Sequence, residues 1–122
     1  MSAPPLEGLR VVEVCQNLAG PLCGRILGDL GADVVKVEPP GGDAARAWGP
    51  PFHEDAEQGR VGTIFAYANT GKRGIRLDLT TGAGMTVLRE LVRRADILVE
   101  SLRPGALERM GMGWEAARSL NE

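Results

Sequence analysis

No stretch of this sequence approaches the ~20 consecutive apolar residues of a membrane-spanning helix. The opening residues, MSAPPLEGLR, carry no apolar signal core and no cleavage-site pattern, so a cytoplasmic protein is expected. Only two cysteines occur, Cys15 and Cys23, and they form no metal-ligand spacing. Both stand in apolar surroundings, which predicts reduced, buried thiols. Aromatic residues make up 4% of the chain, and His53 is the only histidine, in a segment that reads as a solvated loop. Serine nucleophile elbows, metal clusters and the phosphate loop G-x-x-x-x-G-K-[ST] are all missing. The net charge of -2 gives no nucleic-acid footprint.

What is present is the balance of one globular domain: 122 residues, 43% apolar and 25% charged. Glycine is abundant at 17 residues, roughly twice the average usage of ~7%. So many glycines imply tight turns or close backbone approaches.

The pattern along the chain alternates strand and helix. Residues 9–14, LRVVEV, are short, β-branched and almost wholly apolar, as in a buried parallel strand. Pro21 suits a first helical position, and Leu22, Ile26, Leu27 and Leu30 follow on one predicted apolar face, with Gly31 as the terminating cap. DVVKVE (33–38) is a second strand, and residues 39–62 read as a long surface loop. A short helix in GTIFAYAN, a turn at 69–74 and a third strand at 75–79 come next. Thr80 or Thr81 can cap a helix that buries Met85, Leu88, Leu91 and Val92. A fourth strand at 96–100 and two short helices, 105–110 and 114–120, complete the order. This alternation predicts an α/β fold with a parallel sheet and flanking helices.

The first strand–turn–helix suggests a dinucleotide unit, with Glu38 at the end of strand two as a ribose ligand. The glycines disagree. Gly20, Gly24 and Gly28 are spaced four and four, not G-x-G-x-x-G. Gly20 alone stands at the helix start, where a ligand can approach; Gly24 and Gly28 read as close helix–sheet packing. Glu38 otherwise reads as a solvent-facing acid, and Asp29, Asp43, Asp78 and Asp96 show no spacing that demands joint acid–base work. The cations say more. Lys72 and Arg73 follow a glycine turn, and Arg103 and Arg109 flank a Pro-Gly break after strand four, which suits phosphate recognition as well as a solvated basic surface.

Five stretches then stand out together: PLEGLRVVEV, AGPLCGRILGDLGADVVKVEPPGGD, NTGKRGIRLDL, ADILVESLRPGALERMGMGWE and the terminal LN. In these the sequence resembles the N-terminal part of the family III CoA-transferases, which include formyl-CoA transferase, carnitine CoA-transferases and alpha-methylacyl-CoA racemase. The resemblance implies a Rossmann-like domain over residues 1–122 that binds coenzyme A or acyl-CoA as substrate, with no tightly bound cofactor. It further implies a carboxylic acid acceptor, an aspartyl-CoA intermediate and an interlocked homodimer, with neither nucleic acid nor membrane as partner. The implied CoA contacts are Gln16, Asn17, Leu18 and Ala19 after strand one, and Lys72 in the turn. Leu77, Asp78, Leu79 and Thr80 after strand three, and Ser101, Leu102, Arg103 and Arg109 after strand four, complete the set.

Two departures qualify the match. Pro39 stands where members often carry a basic residue. The family's nucleophilic aspartate lies beyond the LN, so the domain is expected to stop before the catalytic segment, and no catalytic residue is assigned. Acyl-CoA racemisation by the same family, a non-catalytic CoA-binding or interaction module, and a dinucleotide-dependent oxidoreductase are the alternatives.

Overall fold

The computed structural model describes residues 2–55 and 59–121. Along the chain run β1 (Arg10–Val14), α1 (Ala19–Asp29), β2 (Asp33–Glu38), a 3-10 turn (Ala44–Ala47), β3 (Pro51–Asp55) and β4 (Gly59–Gly62). Then follow α2 (Thr63–Asn69), β5 (Arg73–Arg76), α3 (Gly82–Arg93), β6 (Ile97–Glu100), α4 (Ala106–Arg109) and α5 (Trp114–Leu120). Four strands form a parallel sheet in the order β5-β2-β1-β6. The expected α/β class and flanked parallel sheet are therefore what the chain adopts. Because β1 has β2 on one side and β6 on the other, the chain reverses its direction of travel there. In such sheets ligands bind beyond the carboxyl ends of the strands at that reversal.

The two faces of the sheet differ in kind. On one, Val12, Val14 and Val37 pack against Met85, Leu88 and Val92 of α3 and against Leu107 and Met112, an apolar core. Three of the four apolar positions predicted for α3 are buried there, and Thr81 caps the helix by accepting the Gly84 N–H at 3.0 Å. The opposite face alternates apolar with charged residues, since Glu13, Lys36 and Glu38 point toward α1 and α2 and are all buried.

That second face corrects the reading of α1. Its buried residues are Gly20, Pro21 and Gly24, while Ile26 and Leu30 of the predicted apolar face are exposed. The helix lies over charged side chains, and only its glycines leave room for them. A Cβ on Gly24 would stand 2.0 Å from Glu13 Oε2. One on Gly28 would meet only Val34, at an ordinary 3.5 Å.

Other differences are local. Helix α1 begins at Ala19 instead of Pro21, and β5 covers 73–76 instead of 75–79, so Leu77 to Thr80 lie past the strand end. The expected loop 39–62 contains the 3-10 turn and an antiparallel β3–β4 hairpin on which His53 is exposed. Its turn residues masked the short strands. Cys15 is buried as expected but Cys23 is exposed, because it sits on the outward side of α1. Among the described residues, no helix is long and apolar enough to cross a membrane.

Candidate functional site

At the carboxyl ends of β1, β2 and β5 lies a hollow of about 250 Å³. Gln16, Leu77, Asp78, Leu79, Thr80 and Leu102 line it together with the two prolines that follow β2 and with Met110. Six of the expected contact residues, from three separate segments, thus share one concavity. A larger hollow of about 520 Å³ runs beside β6, between α3 and α5, and contains none of them. The smaller one is the candidate ligand site, because it stands where a parallel sheet presents its strand ends.

The turn from β1 into α1 forms one rim. Gln16 is half-buried, whereas Asn17, Leu18 and Ala19 are exposed. Asn17 has φ 70°, the sole non-glycine residue in the left-handed region among the described residues. Its backbone N–H donates to Asp43 Oδ1 at 3.0 Å, across 26 residues of sequence. Gly20 packs behind the turn, where an added Cβ would come within 2.5 Å of Cys15 Sγ and 2.9 Å of Ser101 Oγ. Its missing side chain makes room for these two residues. Burial pushes the Cys15 thiol up to about 11, so it stays protonated.

Beneath the turn sits a buried cluster of four charges. Lys36 Nζ contacts Glu13 Oε1 at 3.0 Å, Asp43 Oδ2 at 2.9 Å and the Cys15 carbonyl at 2.9 Å. Lys72 Nζ contacts Glu13 Oε2 at 2.6 Å, the Pro21 carbonyl at 2.7 Å and Asn69 Oδ1 at 2.9 Å. Each ammonium has three partners, and the two carboxylates balance the two cations. Glu13 Oε2 and Asp43 Oδ2 lack well-aligned hydrogen bonds and are held by ion-pair contact alone. Lys72, expected in the ligand set, thus has its charge committed inside the protein. Desolvation lowers its pKa, partly countered by Glu13.

Glu38 is also buried, contrary to the solvent-facing reading. Its carboxylate takes two hydrogen bonds of 2.8 Å from Arg46 and one of 2.8 Å from the Asp43 N–H. Burial alone would raise its pKa, but these donors hold it below the ordinary value. Across the hollow, Asp78 Oδ1 accepts from Thr80 N at 3.0 Å and Thr80 Oγ1 at 2.5 Å, which lowers its pKa. These bonds shape the segment from Leu77 to Thr80 as it enters α3. Beyond β6, Ser101, Arg103 and Arg109 are exposed, and the backbone N–H of Leu102 donates to Glu100 Oε2 at 2.9 Å. Arg109 lies over Gly105, whose φ is 79°.

Sequence reasoning missed Glu13, Lys36 and Asp43 as a unit. One signal was present: a lone acid and a lone base within two apolar strands, Glu13 and Lys36, which pair directly in the β1–β2 register. Nothing local tied Asp43 or Lys72 to them. Among the described residues, no group of three His, Cys, Asp or Glu could hold a metal ion.

A family model described as CoA-transferase family III matches residues 6–122. Succinate--glutarate CoA-transferase of Agrobacterium fabrum is 48% identical over 97% of this chain and 30% of its own length. Succinyl-CoA:mesaconate CoA-transferase of Haloarcula hispanica is 45% identical over 95% of this chain and 29% of its own. A crystal structure of a CAIB/BAIF family protein from Brucella suis superposes with a TM-score of 0.91 at 44% identity, covering 98% of this chain and 32% of that one. The chain spans about 30% of the length of the curated relatives it matches.

Proposed function

Because the chain belongs to CoA-transferase family III, we propose that it forms the CoA-binding part of an enzyme that moves CoA from an acyl-CoA thioester to a carboxylic acid. The observation that carries this reading is the single hollow lined by Gln16, Leu77, Asp78, Leu79, Thr80 and Leu102. One end of CoA enters it, while Asn17, Leu18 and Ala19 of the rim and Ser101 contact the ligand from outside. Arg103 and Arg109, both exposed and next in sequence to the lining residues Leu102 and Met110, meet CoA phosphates with their planar donor forks. Lys72 serves this site from behind, by bonding the Pro21 carbonyl in the first turn of α1. The names of the two relatives above point to short dicarboxylic acids as the acyl and acceptor class, and favour transfer over racemisation.

The chemistry is nucleophilic. An aspartate carboxylate attacks the thioester carbon, giving a mixed anhydride and free CoA thiolate. The thiolate then attacks the enzyme's carbonyl in that anhydride, releasing the first acid and leaving an enzyme-bound CoA thioester. The acceptor carboxylate repeats the sequence in reverse, regenerating the aspartate. No aspartate of this chain is assigned that role; the rest of the protein supplies it, in an interlocked homodimer.

Titration calorimetry on the full-length protein tests the reading. CoA binds and NAD does not, and Arg109→Ala weakens CoA about ten- to a hundred-fold but dephospho-CoA much less. Binding of NAD without CoA would overturn the reading. Equal losses for CoA and dephospho-CoA would remove Arg109 from the 3′-phosphate.

A further inference from the structure

Asn17 holds a left-handed backbone without being glycine, in the turn that rims the candidate site. Left-handed geometry is uncommon outside glycine, although asparagine tolerates it better than most residues. Something must select that conformation, and the turn's own sequence does not. Leu18, at the helix start, offers no side-chain cap. The contacts that fix the turn come from elsewhere in the chain. Asp43 Oδ1 accepts the Asn17 N–H at 3.0 Å and the Ala45 N–H at 2.9 Å. Its Oδ2 rests 2.9 Å from Lys36, whose ammonium also bonds the Cys15 carbonyl just before the turn. The Asp43 backbone N–H is itself tied to Glu38.

We propose that Asp43 is a positioning residue: with Lys36 behind it, it presets the turn from Gln16 to Ala19 in the shape that receives CoA. The proposal rests on the functional reading above and adds a residue that touches no ligand itself. Asp43 is 2% exposed and its carboxylate faces only the Asn17 and Ala45 N–H groups and Lys36, so its effect reaches the ligand through the Asn17 backbone. A preset turn spares the ordering that binding would otherwise require. Without Asp43, the Gln16–Ala19 backbone samples other conformations, and CoA must select the competent one.

Removing Asp43 alone would leave Lys36 facing a single carboxylate and endanger the fold. The cluster's charge balance offers a cleaner pair of variants. Lys36→Met with Asp43→Ala deletes one charge of each sign and leaves the Glu13–Lys72 pair intact. Lys36→Met with Asp43→Asn is equally neutral but keeps an oxygen acceptor for the Asn17 N–H. The two proteins differ at one side chain, which in the Asn double can still accept the Asn17 and Ala45 N–H groups.

The test compares both doubles with the parent full-length protein by amide hydrogen exchange at residues 16–19, thermal melting, and titration with CoA. The expected result has three parts. The Ala double loses Asn17 protection and binds CoA about ten- to a hundred-fold more weakly. The Asn double keeps Asn17 protection and binds CoA about ten- to a hundred-fold more tightly than the Ala double. Both doubles stay folded well above the titration temperature, so the difference in binding is not one of unfolding. Equal CoA affinity in the two doubles, or unchanged Asn17 protection in the Ala double, overturns the proposal while the functional reading stands. A parent protein that does not bind CoA overturns the functional reading, and this inference with it.

Discussion

Glu38 shows how one residue's environment sets its chemistry. A carboxylate buried at a strand end would ordinarily take up a proton easily, since desolvation disfavours the charged form. Here Arg46 and the Asp43 N–H supply three hydrogen bonds of 2.8 Å, and the carboxyl is held below its ordinary value near 4.5. A group whose folded pKa is depressed stabilises the fold above its unfolded pKa. That stabilisation is lost as pH falls through the folded value, because the unfolded chain binds the proton first. Arg46→Met should therefore destabilise the protein by about 1.5–3 kcal/mol at neutral pH. It should also shrink the loss of stability in acid, since burial then acts on Glu38 without its main opponent and the folded state takes up the proton more readily. Urea midpoints measured from pH 7 down to pH 3 check both points. The same pH profile in parent and variant would mean that another carboxylate governs acid stability.

At the scale of one element, α1 is governed by what lies under it. An amphipathic helix ordinarily turns its apolar face to the sheet. Helix α1 instead turns its glycines inward, because the sheet face below carries Glu13 and Lys36. The glycine stripe is uneven in its demands, and this yields a contrast between two neighbours. Gly24→Ala places a methyl 2.0 Å from Glu13 Oε2 and 3.2 Å from Lys72 Nζ, so it should destabilise by about 1–3 kcal/mol. Gly28→Ala meets only Val34 at 3.5 Å, and the gain in helix propensity should leave it neutral or stabilised by up to ~1 kcal/mol. Denaturant titration of the two variants beside the parent decides the matter. Equal destabilisation would show that the glycines serve the helix backbone rather than the charges beneath it.

Across the whole molecule, the four buried charges tie together parts of the chain that are far apart in sequence. Glu13 lies on β1, Lys36 on β2, Asp43 ahead of the 3-10 turn and Lys72 between α2 and β5. Desolvation makes each charge costly alone, so the cluster is stable as a balanced set. Lys72→Met leaves Glu13 half-compensated and should destabilise by about 3–5 kcal/mol. Adding Glu13→Gln removes the stranded charge and leaves Lys36 with Asp43, so the double variant should be more stable than Lys72→Met alone. A double-mutant cycle measured by urea unfolding checks this, and strictly additive costs would show that the contacts do not act as a set.

Local pattern was enough for the fold class, because strand and helix periods, the Thr81 cap and the Gly31 stop are written within short windows of sequence. Part of the candidate site was legible too: the segments around Gln16, Leu77–Thr80 and Leu102 were named from their resemblance to a family, before any geometry joined them. The inward face of α1, the β3–β4 hairpin and the burial of Glu38 and Lys72 were not legible in this way. The link from Asp43 to Asn17 was hidden as well. Each depends on a partner many residues away, and the strength of a charge contact depends on distance and on exclusion from water. Folding alone sets both quantities. That is why a lone acid in one strand and a lone base in the next read as ordinary residues until the sheet laid them side by side.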